Sequence, residues 1–392
     1  MSYLASLKFR RSSLARRGFS LYALGLFCAL CVPFLLPAAA RAQDLDKPLQ
    51  TIDEEITAFS FSPDGRIVYS VRRGLKTKKY DLQHDDIWIM EAGGKRRRLL
   101  QGDKFNHGTQ PFSYEGAGFH WSPNGRFILA QLFTTTVVDD SGRTQDSFMT
   151  LALEDNGKEI HLGKGGESVI EDCSNAIWLQ DNATIVYFTE AVKPRQLFSF
   201  RYSNVASGPA GPVFEGRTFI DFDRIRGTNA VIAVERDRAM TGPPRLQRLD
   251  LLAQDDKEVA TLDGYEGGVR VSPNGDKIAY FIDREILEVR DLRAPDHFVR
   301  LRVGFGPFQW APDETRVLLK RAPERKSGDI VWINIPPLTA QQPGKDVPVF
   351  QPTPQPILHD LTFRDFAISP DGRFLAVVPP GKRNLLLFPL PQ

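Results

Sequence analysis

Cysteine is almost missing from this chain, with three in 392 residues. Cys28 and Cys31 sit inside an apolar stretch near the N-terminus, which leaves Cys173 alone in the remainder. One thiol closes no internal disulfide, so stability must come from a packed core, and Cys173 reads as a small buried side chain. Histidine is sparse as well, with six residues scattered at 84, 107, 120, 161, 297 and 359. The spacings that bind catalytic zinc (His-Glu-x-x-His), cradle nucleotide phosphates (Gly-x4-Gly-Lys-Ser/Thr) or expose a hydrolase serine (Gly-x-Ser-x-Gly) do not occur. Gly163, Gly165 and Gly166 cluster without a strand-then-helix context and read as a loop. No catalytic residue, cofactor or metal is therefore expected. A charge excess is absent too, since 50 basic residues face 48 acidic ones. Nucleic acid is not an expected partner, because backbone binding draws on counterion release by clustered Lys and Arg.

Turn formers are plentiful. Glycine (31) and proline (28) together make about 15% of the chain, and 42% of it is hydrophobic. That composition favours a turn-rich β protein over a disordered or coiled-coil chain. Residues 1–42 differ from the rest. Lys8, Arg10, Arg11, Arg16 and Arg17 make a basic start without an acid, residues 21–36 are apolar apart from Gly25 and Pro33, and Ala40 and Ala42 flank Arg41. This pattern predicts a secretory signal peptide cleaved before Gln43, with Arg16-Arg17 suiting twin-arginine export, and a periplasmic or secreted product. An uncleaved anchor is the alternative. Losing six basic residues leaves 44 basic and 48 acidic, a net charge of −4. No stable membrane insertion is expected after cleavage.

Beyond the leader, one pattern repeats. It appears at residues 59–69 (FSFSPDGRIVY), 119–129 (FHWSPNGRFIL), 269–279 (VRVSPNGDKIA), 308–318 (FQWAPDETRVL) and 366–376 (FAISPDGRFLA). Degenerate copies at 176–186 and 223–233 fill the gap, so the turn positions are Pro63, Pro123, Gln180, Gly227, Pro273, Pro312 and Pro370, 39 to 60 residues apart. Repeats of that period mark stacked supersecondary units. Phe119 and Trp121 alternate with His120, which predicts a strand. Ser-Pro-Asn-Gly reverses the chain, with proline presetting φ and glycine accepting a positive one. Asn182 sits in such a turn and reads as a hairpin residue, not a glycosylation acceptor. The returning strand is apolar on both faces, hence covered on both. Third strands follow at 86–90, 196–200, 286–290, 329–333 and 384–388, with more polar fourth strands such as 96–100. Four strands repeated seven times predict an all-β, seven-bladed β-propeller over residues 55–392. The last unit has room for three strands. Residues 48–52, within a closing segment at 43–54, are expected to pair beside 385–388 and remove the open edge.

These Ser-Pro-Asp-Gly hairpins, each followed by an apolar strand, resemble the WD40-like PD40 repeats of TolB-type propellers over about residues 55–388. Propellers of that family work in the periplasm and bind a peptidoglycan-associated lipoprotein, so the resemblance implies an exported, protein-binding ring. The α/β domain that precedes the TolB propeller has no counterpart in residues 43–54. The repeats are also similar to the propellers of prolyl-oligopeptidase-like peptidases, whose hydrolase elbow is absent here.

Two residue sets are candidates for a site. At or before the expected starts of innermost strands stand Glu54, Glu55, Glu115, Glu171, Asp172, Asp221, Glu266 and Asp365, covering six of seven units. Gathered at one opening, they would focus negative potential that holds a cation or a basic peptide. Ordinary solvated loops would look the same. The second set is His120, Arg270 and Gln309, each three residues before its turn position and so placed to converge in the channel. They serve an alternative reading, a polysaccharide lyase or hydrolase. Arg72, Arg73, Lys76, Lys78, Lys79 and residues 95–98 form a basic cluster expected toward the outer edge of the first unit. The reading that results is a monomeric, non-catalytic exported scaffold binding an envelope protein or peptide.

Overall fold

Seven antiparallel sheets of four core strands follow one another along the chain. The computed structural model describes residues 45, 47–105, 110–161, 168–189, 196–201, 211–239, 241–321, 328–342, 344–361, 365–379 and 383–390. The leader 1–42, His107 and the glycine run 163–166 lie outside the described residues, as do the side chains of His359 and Asp365. Blade 1 holds Ile56–Phe61, Ile67–Val71, Asp86–Met90 and Arg96–Leu100, from the axis outward. Blade 2 has long strands, Phe112–Trp121, Phe127–Val137 and Thr144–Glu154, ended by Val169–Glu171. Blades 3 to 6 begin at the axis with Cys173–Trp178, Thr218–Arg224, Gly267–Val271 and Phe308–Trp310. Blade 7 orders Asp365–Ile368, Phe374–Val378, Leu385–Pro389 and then Gln50–Ile52 from the other end of the chain. Among the described residues the only helical element is the 3-10 turn Gly102–Lys104, and no helix is long and apolar enough to cross a membrane.

The repeated turn explains its own sequence. In blade 2 the Ser122 N–H bonds the Phe127 carbonyl at 2.9 Å, and the Ser122 hydroxyl accepts the Phe127 N–H at 2.9 Å. Asn124 accepts the Arg126 N–H at 3.0 Å, and Gly125 takes φ 70°. Serine and Asn/Asp thus cap the hairpin, and glycine supplies the positive φ. Where glycine is replaced, Asn182 and Glu314 still hold φ 55° and 56°. Each reaches back to the preceding blade, accepting the N–H of Asn124 and of Asn274 respectively. The degenerate turns therefore act as fasteners between blades.

Blade 4 requires a correction. The hairpin bond runs from the Ile225 N–H to the Ala230 carbonyl, so Ile225 occupies the serine place and Arg226 the proline place. Gly227, the expected turn position, is one residue late. With proline and serine both gone from that copy, nothing in its sequence pinned the register.

Packing completes the ring. The core separates into seven clusters, each shared by two consecutive blades. The last joins blade 7 to blade 1, with Ile52, Ala376 and Val378 against Ile56, Tyr69 and Val71. Gln50, Thr51 and Ile52 pair with Leu387, Leu386 and Leu385. Blade 5 gains further cover, because Thr339–Ala340 and Val349–Phe350, from the excursion of blade 6, add to its outer strand His297–Arg302. Each added strand shields an edge that would otherwise pair with another chain. Ile52 is 2% exposed. Ile52→Ala is expected to cost about 2–4 kcal/mol in denaturant unfolding, and exposed Thr51→Ala less than about 0.5 kcal/mol. Equal losses would mean that the N-terminal strand adheres to the ring without supporting it.

Candidate functional site

One cavity of about 630 Å3 lies on the axis at the hairpin end of the innermost strands, and all seven blades line it. Equivalent positions, three residues before each turn position, form a layer of Ser60, His120, Ile177, Asp223, Arg270, Gln309 and Ala367. The structure thus brings His120, Arg270 and Gln309 together on one cavity. Asp223 joins them, a residue that the blade 4 register error had hidden; Arg224 and Arg226 follow it. Trp121, Trp178, Phe308 and Trp310 form apolar walls, and Pro63, Pro123, Pro273, Pro312 and Pro370 stand toward the rim.

The polar groups are unequally free. Gln309 is engaged, donating to the Phe366 carbonyl at 2.9 Å and accepting the Ile368 N–H at 2.9 Å, so it ties blade 6 to blade 7. Asp223 accepts the N–H groups of Arg224 (2.8 Å) and Val271 (2.8 Å). Burial raises its pKa against the opposing pull of Arg270 and Arg224. Arg224 donates to the Trp178 carbonyl at 2.9 Å and Arg270 to that of Val269 at 2.7 Å. His120 makes no hydrogen bond among the described residues. Burial first, then Arg270 and Arg224, push its pKa down to about 4, so the ring is neutral at pH 7.

The acidic set has a different fate. Antiparallel pairing puts whatever follows a second strand beside the start of the first, and in blade 1 that is Arg72-Arg73. Arg72 lies 3.3 Å from Glu55 and 3.0 Å from Glu115; Arg383 lies 3.0 Å from Glu55. Arg73 pairs with Glu54 at 2.7 Å. Arg72 thus stands apart from the rest of the basic cluster, whereas Arg73 stays with the outer strand Arg96–Leu100, sharing Glu54 with Arg96 and Asp86 with Arg98. Asp221 is engaged by the Tyr265 hydroxyl (2.6 Å) and the N–H groups of Gly268 and Val269 (3.1 and 3.0 Å), which fastens blade 4 to blade 5. Glu171 ends the outermost strand of blade 2, and Asp172 accepts the Ser147 hydroxyl at 2.6 Å. Both line a second cavity of about 430 Å3 against the long blade 2 strands. Glu266 is exposed, and Asp365 opens the blade 7 inner strand. Among the described residues, no group of three His, Cys, Asp or Glu could hold a metal ion.

No family model matches the chain, and no curated protein matches it. Among solved structures, the β-propeller domain of Myceliophteria thermophila Cps50 (Swd1) is similar, with a TM-score of 0.51 and 11% identity over 88% of this chain and 100% of that one. At that identity the likeness shows the fold alone. Matching chains number 670, so this architecture does not select a ligand. That choice falls to the residues of the site.

Proposed function

We propose that this protein is a non-catalytic binding scaffold that takes a segment of a protein or peptide partner into the axial cavity at the hairpin face. The observation carrying the reading is that cavity itself, open, lined by every blade and bearing arginines without a carboxylate partner and a histidine without a hydrogen bond among the described residues. The strand-start mouth is the weaker choice, because arginines and backbone N–H groups already hold Glu54, Glu55, Glu115 and Asp221. The basic start, apolar run and Ala-Arg-Ala of residues 1–42 support action after export, with the partner in the cell envelope, and the resemblance to TolB-type repeats supports the same compartment.

The test is steric. Ser60 lies on the cavity layer, and Ser60→Phe narrows the channel without changing charge. Wild-type protein should retain a partner from envelope extract, and Ser60→Phe should lose it. Double reversal of exposed Glu171 and Glu266 to lysine should leave capture unchanged. The opposite pattern moves the site off the axis, to the blade 2 cavity beside Glu171 or to the mouth at Glu266. A second reading, a lyase or hydrolase of acidic oligosaccharides, draws on neutral His120 beside Arg270; turnover of uronate oligosaccharides by the purified protein would favour it.

A further inference from the structure

We propose that the axial cavity binds the carboxylates of an acidic peptide segment; this rests on the reading of that cavity as the binding site and names what enters it. Three arginines line it, Arg224, Arg226 and Arg270, against one acid, Asp223. No carboxylate oxygen among the described residues lies within 4.0 Å of any of the three. Elsewhere the fold pairs its arginines closely, as with Arg66 and Asp155 (2.8 Å), Arg217 and Glu235 (2.6 Å) or Arg300 and Glu288 (2.9 Å). Asp223 offsets one of the three positive charges and leaves two, and its oxygens, both taken by backbone N–H groups, form no direct ion pair with the arginines. Each guanidinium offers a planar fork that fits a carboxylate.

The walls narrow the choice among anions. The arginines belong to the adjacent blades 4 and 5. The wall contributed by blades 7 and 1 is small or apolar, with Ala367, Ile368, Ser60 and Phe61. A sugar acid carries hydroxyls around its whole ring and would leave most of them unpaired there. A glutamate side chain carries one carboxylate on an apolar stem, and its neighbours along a peptide can rest against tryptophan and proline. His120 adds a neutral hydrogen-bonding ring and no charge of its own.

Three of the five tryptophans line the cavity, so intrinsic fluorescence reports on it. Hexaglutamate titrated into the purified full chain should give a saturable change that weakens as salt is raised, and hexaglutamine should give none. Arg226 and Arg270 are exposed, so Arg226→Gln/Arg270→Gln should keep the wild-type melting temperature while weakening hexaglutamate at least tenfold. Arg270→Lys, which keeps the charge and loses the fork, should fall between. The inference is overturned if hexaglutamine binds equally, or if the double variant binds hexaglutamate like wild type. It is also overturned if inorganic phosphate or a trigalacturonate occupies the site in preference to hexaglutamate. The two readings separate cleanly. Partner capture lost in Ser60→Phe but kept in the double arginine variant sinks only the carboxylate assignment, whereas hexaglutamate binding undisturbed by Ser60→Phe sinks the axial site itself.

Discussion

Glu288→Ala is expected to destabilise the protein by about 3–5 kcal/mol, the cost of stranding buried charge. Glu288 is 1% exposed on the third strand of blade 5, Ile286–Asp291. One carboxylate oxygen accepts the Tyr280 hydroxyl and two nitrogens of Arg290, at 3.1 and 2.5 Å; the other accepts Arg300 at 2.9 Å. Phe298 lies beneath both guanidiniums, 4.1 Å from Arg290 and 5.5 Å from Arg300. Tyr280 belongs to the core shared with blade 4, and burial together with Glu288 raises its pKa, so it remains a donor. Removing the carboxylate leaves Arg290, 8% exposed, without its counterion. Replacing Glu288, Arg290 and Arg300 together by leucine or methionine, with Tyr280→Phe so that no buried hydroxyl is stranded, should come out nearly neutral, because the desolvation penalty leaves with the attraction. Urea unfolding of the two variants decides it: a loss below about 1 kcal/mol for Glu288→Ala would mean that water reaches the cluster.

Such a cluster was not legible in the sequence, whereas the ring that holds it was. Blade number and hairpin positions could be read because one constraint recurs. A tight turn needs its positive φ, a capping hydroxyl and an amide or carboxylate at fixed places, and those residues mark every complete copy. The closing strand was legible for a related reason, since a three-stranded last unit leaves an edge that must be covered. Blade 4 slipped by one because its turn, Ile225 to Asn229, lacks the serine and the proline. There Thr228 and Asn229 do the work instead, Thr228 bonding the Ile225 carbonyl at 2.9 Å and Asn229 accepting the Asp181 N–H at 2.8 Å.

The same slip hid half of the candidate site. Aligned correctly, Asp223 falls in the layer of His120, Arg270 and Gln309, and Arg226 takes the place held by proline in five other blades. The acidic set was misleading for a different reason. Strand starts can be counted along the chain, but each one faces the end of the next strand. Arg72 and Arg73 follow the second strand of blade 1 and arrive beside Glu54 and Glu55 only through antiparallel pairing. A carboxylate inventory taken along one strand therefore overstates the charge of the mouth. An inventory over hairpin pairs would have shown it offset.

Acidification is expected to weaken the fold through His120, and the sign follows from its surroundings. The folded protein holds this ring neutral down to about pH 4, against an ordinary value of 6.5. Between those values the unfolded chain binds a proton that the folded one refuses, so stability is full above pH 6.5 and falls as pH drops toward 4. The slope approaches 1.4 kcal/mol per pH unit and the total about 2–3 kcal/mol, trimmed by the opening of the cavity to water. Asp223 acts in the opposite sense. Its raised pKa lets the folded state take a proton before the unfolded one, so acid returns some stability through that group. His120→Gln keeps a polar side chain at that place and removes the titration, while the carboxylates common to both proteins cancel in the difference. Thermal melts at half-unit steps from pH 7 to 4 should show the variant losing less than wild type, with the gap opening below pH 6.5. Parallel curves would place His120 in water instead of beside Arg224 and Arg270. A diverging pair carries a corollary for binding. In the empty channel His120 carries no charge above about pH 5, so the positive charge that an arriving anion meets there is that of arginine.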